Sequence, residues 1–446
     1  MVKTSPVTVS LEPSKTTIVA GCPGVPRSIP RIETVINVRS VNGQPFVIRS
    51  VGVELRTIQK VSVPSTIGSN DPIHEVKIYE DPFLFNPTFG NFSEHLIGID
   101  IPVLIYLPKD ITSSGFNVNW NASTVHNLLV KVSVGDSVET ELNFLETFPI
   151  PIKLYDNLPI YRQFTESINE SIVSTDQQLM LEYHLKESCI GPDDKLNLNV
   201  KIMKNSLNYN VSQRLKLKAV HFQLKEILEG HEGGLPPYKD IKIFEKIHDE
   251  RSMDLNLNNE ININYNFKLP LNNDFLSVYD KNLQNNSIDK FKYFENNEAP
   301  IEVNNRNNFR QFQINEIEGI PITHYNNFTI LGKLFSIRYE IIIKLKVSHG
   351  KDFQVRIPII LSPYNKLSSE YLLNWIINQC KVSNDRFGRD TVNQLINSYN
   401  IKECNTILSK YNKPLKIYKY TKTDWMKLGF SIDSFGTPST LSQFID

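Results

Sequence analysis

The 446-residue chain has few of the features that mark exported, membrane-spanning or metal-dependent proteins. No apolar run reaches the roughly 18–20 residues that a bilayer-spanning helix needs. The opening stretch MVKTSPVTVSLEPSK has no apolar core of the signal-peptide kind. Cysteine is scarce: Cys22, Cys189, Cys380 and Cys404 lie far apart, and none forms a C-x-x-C pair. That spacing points away from zinc and redox sites. With no export signal, it leads us to expect a reducing, cytosolic setting. Surplus charge is missing too, since 48 Lys and Arg balance 48 Asp and Glu. A general nucleic-acid binder carries a basic excess, so nucleic acid is not an expected partner.

Catalytic signatures are also absent. There is no G-x-S-x-G elbow, no G-x-x-x-x-G-K-[ST] phosphate loop and no H-E-x-x-H helix. The nine histidines are scattered, with no pair at i, i+4. His221 sits in a strand run, where a hydrogen-bonded sheet histidine is the ordinary reading. His231 to Gly234 (HEGG) precedes Pro-Pro and reads as a turn. The expectation is a protein that binds rather than catalyses, with no cofactor and no metal.

Period-two alternation is what the sequence does have. In KLNLNVKIMK, Leu196, Leu198, Val200 and Ile202 share one face, and lysines and asparagines take the other. This is a strand with one wet side. FSIRYEIIIKLKV repeats the pattern from Phe335 to Val347, with Ile342 as the exception on the polar face. Further strands are expected at 31–40, 46–63, 125–134 and 138–155. In RLKLKAVHFQLKEIL the apolar face switches near Ala219, as a β-bulge or a strand crossing between sheets would make it. Many half-wet strands separated by Gly, Pro and Asn turns predict antiparallel sandwiches. There is too much strand for one sandwich of about 100 residues. Two are expected, at 1–164 and 165–364. Between the strands of the second, the Asn-rich stretch at about 272–308 reads as a flexible insertion.

After residue 364 the period becomes helical. Leu372, Trp375, Ile376 and Cys380 fall on one face, with Ser368 or Ser369 as the expected N-cap. Val392, Leu395, Ile396 and Tyr399 suggest a second helix. The helical faces lack the basic cluster of a membrane-surface helix, so packing against the second sandwich is expected. The segment 365–446 is thus helical, ending in a mobile tail from 429.

The order of these runs resembles the arrestin fold, two β-sandwiches in tandem. The similarity rests on VTVSLEP…RIETVINVRSVNGQPFVIRSVGVELRTIQKV, on FPIPIKLYDNLPIYRQF, on IGPDDKLNLNVKIMKNSLNYNVSQRLKLKAVHFQLKEIL, and on FSIRYEIIIKLKV…DFQVRIPIILSP. The chain is similar to fungal alpha-arrestins, near a budding-yeast group with a sporulation-associated member. That resemblance implies an adaptor linking cytosolic segments of plasma-membrane transporters to a HECT-type ubiquitin ligase for endocytosis. It also implies regulation by phosphopeptide-binding partners, and a cytoplasmic protein recruited peripherally to plasma membrane and endosomes. The alternative is an arrestin-fold scaffold without ligase contact, in a developmental (sporulation) or signalling pathway.

In that family the ligase's WW domains bind Pro-Pro-x-Tyr or the variant Leu-Pro-x-Tyr, whose rings pre-set an extended helix. This chain has only the variant: Leu235-Pro236-Pro237-Tyr238 and the weaker candidate Leu158-Pro159-Ile160-Tyr161. Lys216, Lys218, Lys225 and Lys239, near the first of these, are possible ubiquitin acceptors.

Overall fold

The computed structural model describes residues 6–429, except 13–17, 66–67, 71, 88–94, 118, 136–139, 192–193, 206–214, 233, 249–252, 255–259 and 269–327. The expected insertion at 272–308, and the tail beyond 429, lie outside the described residues.

Seven long strands come first: β1 (Val7–Glu12), β2 (Arg31–Ser40), β3 (Ile48–Lys60), β4 (Ile73–Phe85), β5 (Gly98–Tyr106), β6 (Ala122–Val134) and β7 (Leu142–Ile150). They form two antiparallel sheets, with β1-β2-β5 packed against β7-β6-β3-β4. Between them lies a core that includes Ile36, Val53, Leu55, Ile101, Leu128 and Val130. The second sandwich is built mainly from β8 (Ile168–Val173), β9 (Leu179–Leu185), β10 (Cys189–Ile190), β11 (Lys195–Lys204), β12 (Lys216–Gly230), β13 (Lys239–His248), β14 (Ile261–Lys268), β15 (Phe335–Ser348) and β16 (Phe353–Leu361). The sheet β8-β9-β11-β14 faces the sheet β10-β16-β15-β12-β13. Phe222 and Tyr265 stack across the gap with centroids 4.3 Å apart. This is the expected all-β, arrestin-like plan of tandem antiparallel sandwiches. The face switch at Ala219 is a bulge, since the register with β15 shifts between Leu217 and Ala219.

The C-terminal segment departs from expectation. It holds α1 (Lys366–Phe387), α2 (Arg389–Asn397) and α3 (Ile401–Leu408), then β17 (Tyr418–Tyr420) and α4 (Lys422–Lys427). These helices do not settle on the second sandwich. Phe387, Val392, Leu395, Cys404 and Leu408 pack on Ile29, Leu104 and Tyr106 at the outer face of the first sheet. Ser383 donates to the Ser28 carbonyl at 2.7 Å, and Arg386 grips Glu33 through two hydrogen bonds of 2.7 Å. The reason lies in β5, which reads GIDIPVLIY and is buried along its whole length. A strand apolar on both faces needs a cover on both. β17 then pairs antiparallel with β5, Tyr418 opposite Asp100. The helix start also differs from the expected Ser368 or Ser369. Helix α1 begins at Lys366, whose N–H is received by the Asp194 carboxylate at 3.1 Å, and Ser369 is bonded inside the helix to the Asn365 carbonyl.

Buried polar groups tie the sandwiches together. On β12, the fully buried Glu226 accepts from Asn117 (2.9 Å), Asn119 (3.1 Å) and the Tyr339 hydroxyl (2.6 Å). Gln59 of β3 accepts from the N–H groups of Lys333 (2.9 Å) and Leu334 (3.1 Å). Beside these, His126 is fully buried; Nε2 meets the Thr112 carbonyl at 2.9 Å and Nδ1 meets the Thr57 hydroxyl at 2.8 Å. A carbonyl only accepts, so Nε2 carries a proton, and burial disfavours a second proton on the ring. Burial lowers the His126 pKa from 6.5 to about 4. The unfolded chain therefore binds this proton more readily, and stability present above pH 6.5 is lost as pH falls through about 4. The full contribution is about 3 kcal/mol. Asp194 acts with the opposite sign. Burial raises its pKa from 3.8 to about 6, so its contribution is present at low pH and lost as pH rises through that value. Urea midpoints measured from pH 7 to pH 4 should change little for the wild type, where the two opposed contributions nearly cancel, fall for Asp194→Asn, and rise for His126→Asn.

Candidate interaction surface

The stretch Gly230–Tyr238 joins β12 to β13, and its backbone closes on itself. Gly230 N–H donates to the Pro236 carbonyl at 3.1 Å, and His231 N–H donates to the Leu334 carbonyl at 2.9 Å. A β-carbon on Gly230 would stand 2.3 Å from the Leu235 β-carbon, so the approach requires glycine. Leu235 turns into the core of the second sandwich. Tyr238 lies on the outer sheet face, 44% exposed. Its hydroxyl accepts from Arg356 at 3.0 Å and donates to Asp240 at 3.4 Å. The Arg356 guanidinium sits 5.8 Å from the Tyr238 ring centroid. Lys225 pairs with Asp240, and Arg356 also reaches Glu340 at 3.6 Å. The Lys225 hydrogen bond is the largest influence holding the Asp240 carboxyl below its usual range. The hydrogen bond that Arg356 donates to Tyr238 is the largest of the influences that raise the Arg356 pKa. The tetrapeptide is thus a turn with its leucine in the core and its tyrosine tied to β16.

The second tetrapeptide faces inward. Leu158 is fully buried among Cys22, Tyr155, Tyr364 and Leu372; Pro159 is buried; and the half-buried Tyr161 donates its hydroxyl to the Tyr155 carbonyl at 2.6 Å. Among the four lysines, Lys218 is exposed and Lys216 half-buried on β12. Lys225 is engaged with Asp240, and the Lys239 ammonium lies 5.9 Å from the Trp120 ring centroid. The structure brings Lys225 together with Tyr238 through Asp240. It does not group the four lysines or the two tetrapeptides into one site. Arg356 was not legible as a partner of Tyr238, because they lie 118 residues apart and only the β13-β12-β15-β16 order brings them together.

The arrangement is an ordered sheet surface bearing a Tyr–Arg pair inside a charged network, on an arrestin-like frame. Such pairs suit protein recognition, because Tyr and Arg are enriched among residues that dominate interfaces. No protein-family model matches the chain. It is similar to the RHO1 GEF localizing protein 1 of Saccharomyces cerevisiae, at 25% identity over 428 residues covering 84% of each chain. That name joins the relative to a guanine-nucleotide exchange factor for a small GTPase, and not to a ubiquitin ligase. It overturns the expectation of a transporter-to-ligase adaptor and leaves the HECT-type ligase unsupported as a partner. The scaffold alternative, in a signalling pathway, agrees better with it. The name does not state arrestin kinship, so that likeness stands on the fold. Among the described residues, no helix is long and apolar enough to cross a membrane.

Proposed function

We propose that this chain is a non-catalytic scaffold that holds an exchange factor for a Rho-type GTPase at its place of action. The observation that carries this is the similarity to the yeast localizing protein across 84% of both chains, which spans both sandwiches and not one local motif. The ordered outer face of the second sandwich supports it, since a rigid sheet presents Tyr238 and Arg356 without further ordering cost. The test is affinity capture of Rho-type exchange factors from cell extract on the purified full chain, together with imaging of the captured factor in cells lacking the chain. Capture with displacement of the exchange factor is the expected result. An exchange factor that neither binds nor moves would remove this reading. Arg356→Ala is expected to weaken capture about tenfold or more, in the range of an interface anchor, while leaving the thermal melt close to wild type.

A further inference from the structure

The chain is neutral overall, yet its positive charge is not evenly spread. Residues 409–428 hold six lysines and one acid, Asp424. That acid is engaged locally: its carboxylate accepts from the Thr421 hydroxyl at 2.6 Å and the Thr421 N–H at 3.3 Å in the capping box of α4. Lys410, Lys413, Lys416, Lys422 and Lys427 are exposed, and among the described residues no ion pair within 4 Å engages them, although Lys427 acts electrostatically on Asp424. Lys419 stands 5.4 Å from the Phe85 ring centroid. Interleaved with the lysines are large apolar side chains facing solvent: Leu415 is 75% exposed, Met426 60% and Leu428 50%.

The segment is held firmly from beneath. β17 is paired into the first sheet through Tyr418, Lys419 and Tyr420. Tyr420 and Trp425 are buried and meet edge-on at 6.0 Å, and the Tyr420 hydroxyl donates to Asp100 at 2.7 Å. Its aromatics thus serve as the anchor to the protein, and its lysines and aliphatics are left outward. Sequence reading looks for basic residues on the helical faces; they lie instead on the turn, strand and short helix that follow.

The geometry points to this strap, Lys410–Leu428, as a docking surface for an anionic lipid membrane. Lysines on flexible stems reach headgroup phosphates while aliphatic side chains between them enter the acyl boundary. A protein partner would more often meet Arg, Tyr or Trp anchors in a packed pocket, and here the buried aromatics are already used. The inference is independent of the exchange-factor reading.

The test is co-sedimentation of the full chain with phosphatidylserine-rich vesicles and with pure phosphatidylcholine vesicles. Binding is expected to the first and not the second, and to weaken as salt rises, because exposed charges are screened. The triple variant Lys413→Glu, Lys416→Glu, Lys422→Glu is expected to bind at least about tenfold more weakly. Leu415→Ser with Met426→Ser is expected to weaken binding with less salt dependence. All five positions are exposed, and an unchanged thermal melt checks the fold. Equal sedimentation with both vesicles, or binding untouched by charge reversal, would overturn the assignment. So would capture of the wild type by poly-glutamate with no vesicle binding, which would give the strap to an acidic protein segment.

Discussion

Glu226→Ala is expected to cost about 3–5 kcal/mol of stability. The carboxylate is fully buried, and three donors converge on it: Asn117, Asn119 and the Tyr339 hydroxyl. Asn117 and Tyr339 are buried themselves, so removing the acceptor leaves both without this partner in a site closed to water. Each such loss costs about 1–3 kcal/mol, and the cavity adds to it. The pair Glu226→Leu with Tyr339→Phe removes acceptor and one donor together, so it should cost less than the alanine change alone. Urea denaturation of the three proteins measures this. An alanine variant within about 1 kcal/mol of wild type would show that the network does not hold the sandwiches.

Glu226 also shows where the sequence was readable and where it was not. It lies in register with Phe222, Leu224 and Leu228, all core residues. A carboxylate on the apolar side of an alternating strand signals buried partners, but their identity depends on how the sandwiches meet. Alternation located β11 and β15 because each wets one face. It missed β5, whose two buried faces leave no alternation, and β4, an exposed edge interrupted by Pro82. It also passed over β8, where Ile168 and Ile172 alone pack on the core and the rest reads as a polar linker. The tetrapeptide at 235–238 is a local string. What decides its conformation is Leu334, Arg356 and the core beneath Leu235, all distant in sequence or set by the sheet.

The functional reading failed for a related reason. Tandem sandwiches are a frame, and the activity of one family on that frame does not follow the frame to another member. The strands justified the arrestin-like fold, while the ligase rested on the family alone, supported by two weak tetrapeptides. The strap was the opposite case. Its six lysines are plain in the sequence, but a balanced total charge hides them until β17 shows that the segment is ordered and outward.

Gly191→Ala should have a larger effect than its size suggests, about 4 kcal/mol or more. A β-carbon there would stand 1.8 Å from the Tyr364 carbonyl oxygen and 2.6 Å from the Asn365 α-carbon. Both contacts are backbone, so no side chain can swing away. Gly191 follows β10, which pairs parallel with β16, and Ser362 N–H donates to Ile190 at 2.9 Å. The strand and the turn into α1 are therefore fixed against each other, and the methyl must push the helix start outward. That movement pulls Lys366 N–H from Asp194 and separates the Tyr364 ring from Tyr155, on which it stacks at 5.6 Å. The helices that cover β5 would then lose their anchor. Gly388→Ala is the control. Nothing lies within 4 Å of its β-carbon, but its φ of +81° makes the change cost about 1–3 kcal/mol through backbone strain alone. Limited proteolysis distinguishes the two, since Gly191→Ala should open cleavage within α1 under conditions where the control stays intact. Equal resistance in both variants would mean that the turn at 362–366 yields without releasing the helix.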